Sequence, residues 1–346
     1  MTETIRPSAI DLFSGFGGAS LGIGSAGFRV LAGIELAVAP AEVFQLNHPE
    51  ARLYNNDIRD LDPSEIMDEL GLDFKELDLM IACSPCQGFS RIRTRNRPNS
   101  ADDPRNDLVL DFARFVEEML PKVVVFENVP GIRNDSRYDT MIERLEEAGY
   151  SVVSGVLDLS RFGVPQRRKR LIIIGSQLGQ LEMPKFAGKV RTVRETIGRL
   201  VSPENSQDPL HRSVTAHSEA IRNKIAKIPA DGGSRTDLGE EDQLPCHTRT
   251  DGFRDVYGRM SWDKPSPTIT RFSYNPSKGR YLHPSENRAI SLREAAMLQS
   301  IPRRYKLPLE KYGRVAIASM IGEALPPLFA KRLGGHIYRH LAPAKS

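Results

Sequence analysis

Three reactive side chains lie at the edges of apolar runs that read as buried strands: Cys86 after residues 77–82, Glu127 after residues 123–126 and Arg170 before residues 171–174. Open α/β sheets bind their ligands at the ends of strands. A thiolate is a soft nucleophile, a carboxyl group can hold a proton, and a guanidinium stabilises negative charge. Together these groups suggest covalent attack on a polarised ring.

Cys83 and Cys86 form a C-x-x-C pair, which leaves two other interpretations open. A redox dithiol normally opens a helix in a small thioredoxin-like fold, whereas this pair follows a strand of a larger sheet. A zinc site needs two more ligands, and Cys246-His247 is the one candidate for them. We therefore predict no metal site, a Cys83 that packs as a small hydrophobic residue, and a reactive Cys86.

A glycine loop and two acidic residues indicate a nucleotide site. The loop reads Gly15-x-Gly17-x-x-Ser20, without the third glycine of the dinucleotide fingerprint, so it could also be only a tight turn. Glu35 ends the next strand, where a carboxylate can accept from both ribose hydroxyls. Asp57 ends the third strand and can accept from an adenine amino group. These strand ends describe an adenosine site, and no phosphate-binding lysine follows the loop, so a P-loop is not expected.

The pattern of apolar residues predicts the elements that hold these groups. Up to Gly175, short strands alternate with amphipathic helices: strands near 8–13, 28–34, 53–58, 77–82, 123–126, 150–157 and 171–174, and helices near 18–26, 38–46, 108–120 and 141–148. This alternation predicts an α/β fold with a doubly wound, mostly parallel sheet.

After Gly175 the sequence becomes rich in Pro, Gly, Ser, Arg and His and loses its periodicity. We predict a smaller, irregular domain rather than a disordered linker, because aromatic residues such as Trp262 offer core material. Helical pattern returns at Ser291, which opens a capping box with Glu294. The predicted limits are 1–175 for the sheet domain, 176–286 for the inserted domain, and 287–346 for helices that return to the sheet domain.

The composition is that of a soluble globular protein. The 346 residues suffice for two domains. The sequence has no apolar run of membrane-spanning length and no signal-peptide core at its start. Three cysteines argue against a disulfide framework and fit a reducing cytoplasm. A net charge of +4 is compatible with nucleic-acid binding without arguing for it.

The motifs of the chain resemble, in order and spacing, those of the DNA (cytosine-5)-methyltransferases of bacterial or phage type. They lie at residues 11–22, 84–90, 127–131, 166–170, 293–302 and 321–327. The resemblance covers residues 8–333 and is specific because Pro-Cys-Gln, Glu-Asn-Val and Gln-x-Arg-x-Arg occur together. It implies an S-adenosylmethionine-dependent methyltransferase sheet with an inserted target-recognition domain.

The resemblance also implies a reaction. The enzyme would transfer a methyl group from S-adenosylmethionine to C5 of a cytosine flipped out of a specific double-stranded DNA sequence. Cys86 would attack C6, Glu127 would bind N3 and the exocyclic amine, and Arg170, supported by Arg168, would stabilise charge at O2. An ordinary salt bridge between Glu127 and one of these arginines is the alternative, and it could also exist in the empty site.

By the same resemblance, one set of residues contacts the cofactor: Phe13, Gly15, Gly17, Glu35, Asp57, Ile58, Pro85, Leu108, Glu323 and Ala324. One position departs from the family pattern. The last family motif usually reads Gly-Asn-Ala-Val-Pro-Pro, whereas this chain has glutamate, Glu323, in place of the asparagine. Glu323 could pair with the ammonium of the cofactor or with a lysine.

Candidate DNA contacts lie in two groups. The first follows the nucleophile and could grip phosphates or form only a solvated basic loop: Ser90, Arg91, Arg93, Arg95 and Arg97. The second lies in the inserted domain, and none of it can be assigned to a base: Arg235, Arg249, Arg254, Thr270, Arg271 and Lys278.

Two alternatives remain open. Transfer-RNA cytosine methyltransferases share the architecture but typically carry Pro-Pro-Cys and Cys-Phe-Thr, whereas here Ser84 precedes Pro85 and Cys-Phe-Thr is absent. A catalytically silent DNA-binding relative would not need intact Cys86, Glu127 and Arg170. We expect a monomer that acts on double-stranded DNA in the bacterial cytoplasm or nucleoid, with no membrane partner. A cognate restriction endonuclease could act separately.

Overall fold

The computed structural model describes residues 6–85, 103–185, 188–239 and 255–342. Several residues with predicted roles lie outside this part of the chain: Cys86, Ser90, Arg91, Arg93, Arg95, Arg97, Arg249 and Arg254. The chain divides into two compact units. Unit 1 comprises Met1–Asp158, Lys169–Ala187 and Leu325–Ser346, and unit 2 comprises Leu159–Arg168 and Gly188–Ala324.

Unit 1 contains a seven-stranded sheet of order β3-β2-β1-β4-β5-β7-β6. The strands are β1 (Ser8–Leu12), β2 (Arg29–Ile34), β3 (Arg52–Tyr54), β4 (Leu79–Ala82), β5 (Val123–Asn128), β6 (Ser151–Asp158) and β7 (Lys169–Ser176). The first five strands pair in parallel, and β7 runs antiparallel to both β5 and β6. The predicted doubly wound, mostly parallel sheet is therefore confirmed.

The described helices, apart from short 3-10 turns, are α1 (Gly18–Ser25), α2 (Val38–Asn47), α3 (Pro63–Leu70), α4 (Leu108–Met119), α5 (Ser136–Glu147), α6 (Val193–Ile197), α7 (Pro209–Arg212), α8 (Glu219–Lys227), α9 (Leu292–Leu298), α10 (Leu309–Glu323) and α11 (Pro327–Leu341). Helices α1–α5 and α11 belong to unit 1, and α6–α10 to unit 2. None of the helices in the described part of the chain is long and apolar enough to cross a membrane.

The core of unit 1 forms between the sheet and its helices. Strands β1, β4 and β5 are buried along their whole length, as expected of strands covered on both faces. Helix α4 packs Phe112 against Phe126 of β5, with 5.2 Å between ring centroids. A Cβ on Gly22 of α1 would lie 2.4 Å from the Cβ of Ala330, so glycine there permits the close contact between α1 and α11.

The observed strand limits differ from the predicted ones by a few residues, and two of the differences bear on the site. The third strand ends at Tyr54, and Asp57 instead caps a short 3-10 turn, Ile58–Asp60, by accepting from the Arg59 amide. Strand β5 continues through Glu127 to Asn128, because the antiparallel partner β7 extends the ladder to that residue. Glu127 therefore lies within a paired strand rather than beyond its end.

In the described residues of unit 2, helices α6–α10 occur without a sheet of paired strands, and buried side chains connect the segments between them. Its described contacts include isolated bridges rather than extended strands, and a small core that contains Ile225, Tyr257 and Leu282. Buried Arg259 donates to the carbonyl oxygens of residues 225, 228, 283 and 286. The predicted capping box at Ser291 is present at the start of α9.

The two units divide the chain differently from the predicted limits of 1–175, 176–286 and 287–346. Residues 159–168 and 287–324 group with unit 2, and the segment from Leu325 onward groups with unit 1. Hydrogen bonds explain the first difference: the Arg167 amide donates to the Ser266 carbonyl over 2.8 Å, and the Ile269 amide donates to Gln166 over 3.1 Å. The functional assignment of these segments stays a prediction.

Candidate active site

An ion pair between Glu127 and Arg170 lies on the sheet of unit 1. Glu127 of β5 is opposite Ile172 of β7, and Arg170 is the next residue of β7 on the same face. Arg170 Nε lies 2.7 Å from Glu127 Oε1. Glu127 is only 7% exposed, so water screens this attraction weakly. The pair fixes one carboxylate and one guanidinium side by side.

Asn128 connects the end of β5 to the segment that leads to Cys86. Its Nδ2 donates to Ser84 Oγ over 2.9 Å, and its Oδ1 accepts from the Val129 amide over 2.7 Å. Both Ser84 and Asn128 are buried. The position of Ser84, immediately before Pro85, is therefore fixed relative to the Glu127–Arg170 pair.

Cys83 lies at the end of β4, beside Glu127. The pairing of Ala82 with Phe126 makes the next residues of these parallel strands, Cys83 and Glu127, neighbours. Burial, together with the charge of Glu127, raises the pKa of the Cys83 thiol well above its ordinary value. A thiol that stays protonated is a poor nucleophile. This environment supports a packing role for Cys83.

The glycine loop after β1 has the backbone conformation that close approach to a ligand requires. Gly15 and Gly17 have positive φ angles of 55° and 93°, and nothing lies within 4 Å of where a Gly15 Cβ would be. The Gly15 amide donates to Glu35 Oε2 over 2.9 Å, and the Ala37 amide donates to Glu35 Oε1 over 2.7 Å. Glu35 thus holds the loop beside the end of β2.

The predicted cofactor residues of unit 1 collect at one edge of the sheet. Phe13 and Glu35 directly follow the adjacent parallel strands β1 and β2. Asp57 follows β3 and pairs with Arg59, which lowers the pKa of the Asp57 carboxyl. A carboxylate has room for further donors, so this pair does not prevent an adenine contact. Ile58 and Leu108 supply buried apolar surface.

Two buried polar atoms near the glycine loop have no hydrogen-bond partner among the described residues: Asp11 Oδ1 and Ser14 Oγ. Asp11 accepts from the amide and the hydroxyl of Ser20 through its other oxygen, over 3.1 and 2.6 Å. Burial raises the pKa of Asp11 to about 7. A bound molecule with a cationic or donor group would satisfy these atoms, so the loop fits S-adenosylmethionine.

Replacement of Asp11 with asparagine is expected to flatten the pH dependence of stability. The folded pKa of about 7 exceeds the ordinary 3.8, so folded protein binds more protons between these values. Stability from this group is therefore highest at low pH and falls, by up to about 4 kcal/mol, as pH rises from about 4 to about 7. Urea unfolding at several pH values measures this. The assignment would be contradicted if the free energy of unfolding of Asp11→Asn fell with pH as steeply as that of wild type. It would also be contradicted if the exposed control Asp60→Asn flattened this pH dependence to the same extent.

In unit 2, Arg168 bonds to main-chain carbonyls. Its Nη1 donates to Ile269 over 3.1 Å and to Gly322 over 3.2 Å, and its Nη2 donates to Ala324 over 3.2 Å. Only 3% of the residue is exposed. The described partners of the Arg168 guanidinium are therefore main-chain carbonyls, and its predicted support of Arg170 at the cytosine stays a prediction.

The described candidate DNA contacts of unit 2 differ in accessibility. The Arg271 side chain is 46% exposed, lies over the Phe272 ring and is 3.6 Å from Glu323. Thr270 shares a hydrogen bond of 2.9 Å with Tyr281, and Lys278 is exposed. Arg235 is only 3% exposed, which argues against a direct phosphate contact. Glu323 thus pairs with an arginine in the described chain, and its pairing with the cofactor or with a lysine stays a prediction.

Residues 8–339 match the family of C-5 cytosine-specific DNA methylases. The chain belongs to this family. The Type II methylase M.HgiDII of Herpetosiphon aurantiacus is 32% identical over 96% of this chain and 96% of that protein. The Type II methyltransferase M1.HphI of Haemophilus parahaemolyticus is 33% identical over 94% of this chain and 84% of that protein. The resemblance seen in the motifs is confirmed, and the enzyme is a DNA (cytosine-5)-methyltransferase.

Solved structures show the same fold. A DNA modification methyltransferase encoded within an E. coli prophage has a TM-score of 0.74 at 23% identity and covers 97% of this chain and 99% of its own. DNMT2 of Spodoptera frugiperda has a TM-score of 0.67 at 17% identity and covers 96% and 99%. At these identities the likeness concerns the fold alone.

Two residues that the structure places beside the candidate site residues of unit 1, Ser84 and Asp11, were not among the predicted site residues. Ser84 entered only as a residue that distinguishes subfamilies, and its bond to Asn128 was not foreseen. Asp11 was not singled out, although a carboxylate in a fully buried strand is itself a signal, because burial of an unpaired charge is costly. Among the described residues, no cluster of His, Cys, Asp and Glu is arranged to hold a metal ion.

Proposed function

We propose that this methylase acts on a cytosine flipped out of a specific double-stranded DNA sequence, through a covalent bond between Cys86 and C6 of the base. Membership of the family establishes the class of reaction. The observation that carries the mechanism is the buried Glu127–Arg170 pair. Glu127 lies on β5, which pairs with the strand β4 that leads to Cys86, and Arg170 lies on β7, the other neighbour of β5.

Each group of the proposed site has one task in the chemistry. C5 of cytosine is too weak a nucleophile to take a methyl group unaided, so the Cys86 thiolate adds to C6 and makes C5 electron-rich. Negative charge then builds at N3 and O2. Glu127 holds a proton at N3 and binds the exocyclic amine, and Arg170 binds O2. Once C5 carries the methyl group, its proton passes to solvent, the electron pair of that C–H bond expels the Cys86 thiolate, and N3 returns its proton to Glu127, which restores the aromatic ring.

The cofactor of this family, S-adenosylmethionine, supplies the methyl group as an electrophile. Glu35 would bind the ribose hydroxyls, Asp57 the adenine amino group, and Gly15 and Gly17 would let the backbone approach closely. Other contacts are proposed for Phe13, Ile58, Pro85, Leu108, Glu323 and Ala324. Two observations in unit 1 support this cofactor site. The glycine loop, Glu35 and Asp57 lie at one edge of the sheet, and Asp11 Oδ1 has no hydrogen-bond partner among the described residues.

The DNA would be gripped by arginines in the segment after Cys86 and by Thr270, Arg271 and Lys278 of unit 2. Several phosphate contacts would make binding fall steeply with salt. The Type II names of the relatives favour a role beside a restriction endonuclease that acts separately. We propose that the protein works as a monomer in the bacterial cytoplasm.

A stable adduct with 5-fluorocytosine is the expected result of the test. Methylation mapping of DNA from cells that express the enzyme first gives the target sequence. A duplex with 5-fluorocytosine at the target should then trap the enzyme, because fluorine at C5 cannot leave as a proton does. Denaturing electrophoresis shows the adduct, and Cys86→Ala should form none.

Two results would contradict the proposal. An enzyme that methylates the ordinary duplex but forms no adduct would react at a different atom. Methylation of small RNAs but not of DNA would make a transfer RNA the substrate.

A further inference from the structure

Four segments of unit 2 meet at a cluster that we call the Gln-Arg-Gln cluster, formed by Gln166, Arg168 and Gln299. All three side chains are buried. Arg168 bridges the carbonyls of Ile269, Gly322 and Ala324. The cluster therefore joins the segment that carries Thr270 and Arg271 to the last motif of the family.

The two glutamines complete this connection. Gln166 accepts from the Ile269 amide over 3.1 Å and donates to the Leu298 carbonyl over 3.1 Å and to Gln299. Gln299 donates to the Ile321 carbonyl over 2.7 Å and to the Ala324 carbonyl over 3.0 Å. Every segment that the cluster touches is thus held by more than one hydrogen bond.

The joined segments touch through their backbones. A Cβ added to Gly322 would lie 2.1 Å from both the Thr270 carbonyl carbon and the Arg271 amide nitrogen. Glycine is required there because no side chain fits. This contact also places the Arg271 guanidinium 3.6 Å from Glu323, the residue that departs from the family pattern.

Stability alone does not require such a cluster. A guanidinium stays charged in proteins, and its burial against neutral carbonyls costs free energy that an apolar side chain would not. What distinguishes Arg168 is the geometry of its donors: one planar fork fixes three carbonyls at once. The fixed residues flank Arg271 and Glu323.

We propose that Arg168 is a positioning residue that sets Thr270 and Arg271 for the DNA and does not touch the cytosine. The inference rests on the proposed DNA contact of Arg271. Arg168 then governs how well DNA binds, whereas Arg170 governs the chemistry of the base. Glu323 supplies the counter-charge that orients Arg271 when no phosphate is bound.

The test compares Arg168→Lys with Arg259→Lys. Lysine keeps the charge but cannot bridge three carbonyls. For Arg168→Lys, the KM for unmethylated plasmid DNA should rise by about tenfold or more, while kcat at saturating DNA changes less than about threefold. Arg259 bonds to carbonyls of the same unit away from Thr270, so its variant should lower the Tm and leave the KM for DNA unchanged.

Further variants separate failure of the inference from failure of the DNA contact. An unchanged KM in Arg271→Ala would remove the proposed DNA contact. If the KM for DNA rose in Arg271→Ala but stayed unchanged in Arg168→Lys, the positioning role of Arg168 would be overturned. The same conclusion would follow if Arg168→Lys lowered kcat and left the KM for DNA unchanged. Should Arg168→Lys not fold, Gln299→Met decides by the same measurement, because it removes the bonds to Ile321 and Ala324 without a change of charge.

Discussion

The Cys86→Ala variant is expected to lose methylation by at least about 10³-fold, because alanine cannot add to C6 and C5 then stays unreactive. Binding of S-adenosylmethionine should stay within about threefold of wild type, since the proposed cofactor contacts lie mainly at the strand ends of β1, β2 and β3. Transfer of labelled methyl groups to unmethylated plasmid DNA measures the first quantity, and titration calorimetry measures the second.

Cys83→Ala is the matched control. It removes the other thiol of the C-x-x-C pair, whose raised pKa keeps it protonated. Its methylation rate should fall less than about tenfold, and it should still form the adduct with 5-fluorocytosine. Normal turnover in Cys86→Ala, or equal losses in the two variants, would remove Cys86 from its role as nucleophile.

The middle of the sheet could be predicted because β4 and β5 contain continuous apolar runs. Residues 79–82 and 123–126 can satisfy their backbone groups and bury both faces only inside a covered sheet. The glycine loop was also predictable, since Gly15 and Gly17 allow positive φ angles that other residues resist. These features depend on local sequence, which is why pattern alone found them.

The exact neighbours of the site residues could not be predicted in the same way. The limit of β5 depends on its antiparallel partner β7, which lies far along the chain. For this reason Glu127 was predicted to follow the strand, whereas it lies within it. The contacts of Arg168 depend on residues 269, 322 and 324, which no spacing rule connects to it. Likewise, Asp57 pairs with Arg59 because both residues belong to a tight turn, whereas the prediction placed Asp57 in a longer strand.

The partners of the polar site residues could not be predicted for one physical reason. A buried polar side chain must find hydrogen-bond partners, but the sequence does not say which ones. For Arg168 the partners turned out to be main-chain carbonyls, and for Arg170 a carboxylate, although both belong to one Gln-x-Arg-x-Arg motif. The motif predicted the residue types, and the structure gives the two arginines different partners, from which their proposed tasks are inferred.

The second large effect is expected for Glu127→Gln, which should lower kcat by about 10²–10⁴-fold. Glutamine has nearly the same shape, so it can still bind the exocyclic amine and accept from Arg170. It has no proton to hold at N3 as charge builds there. Single-turnover methylation at saturating DNA and cofactor measures the loss, and unchanged DNA binding would show that the fold is intact.

A double-mutant cycle with Arg170 decides whether the pair acts as one unit. Arg170→Met alone leaves the buried Glu127 carboxylate without its 2.7 Å counter-ion and leaves O2 without a cation, so it should also cost kcat heavily. In the Glu127→Gln background no carboxylate remains for the Arg170 guanidinium to stabilise. Arg170→Met should therefore lower kcat far less in that background than it does in wild type. Fully additive losses would mean that the two residues act independently and that their ion pair only stabilises the sheet.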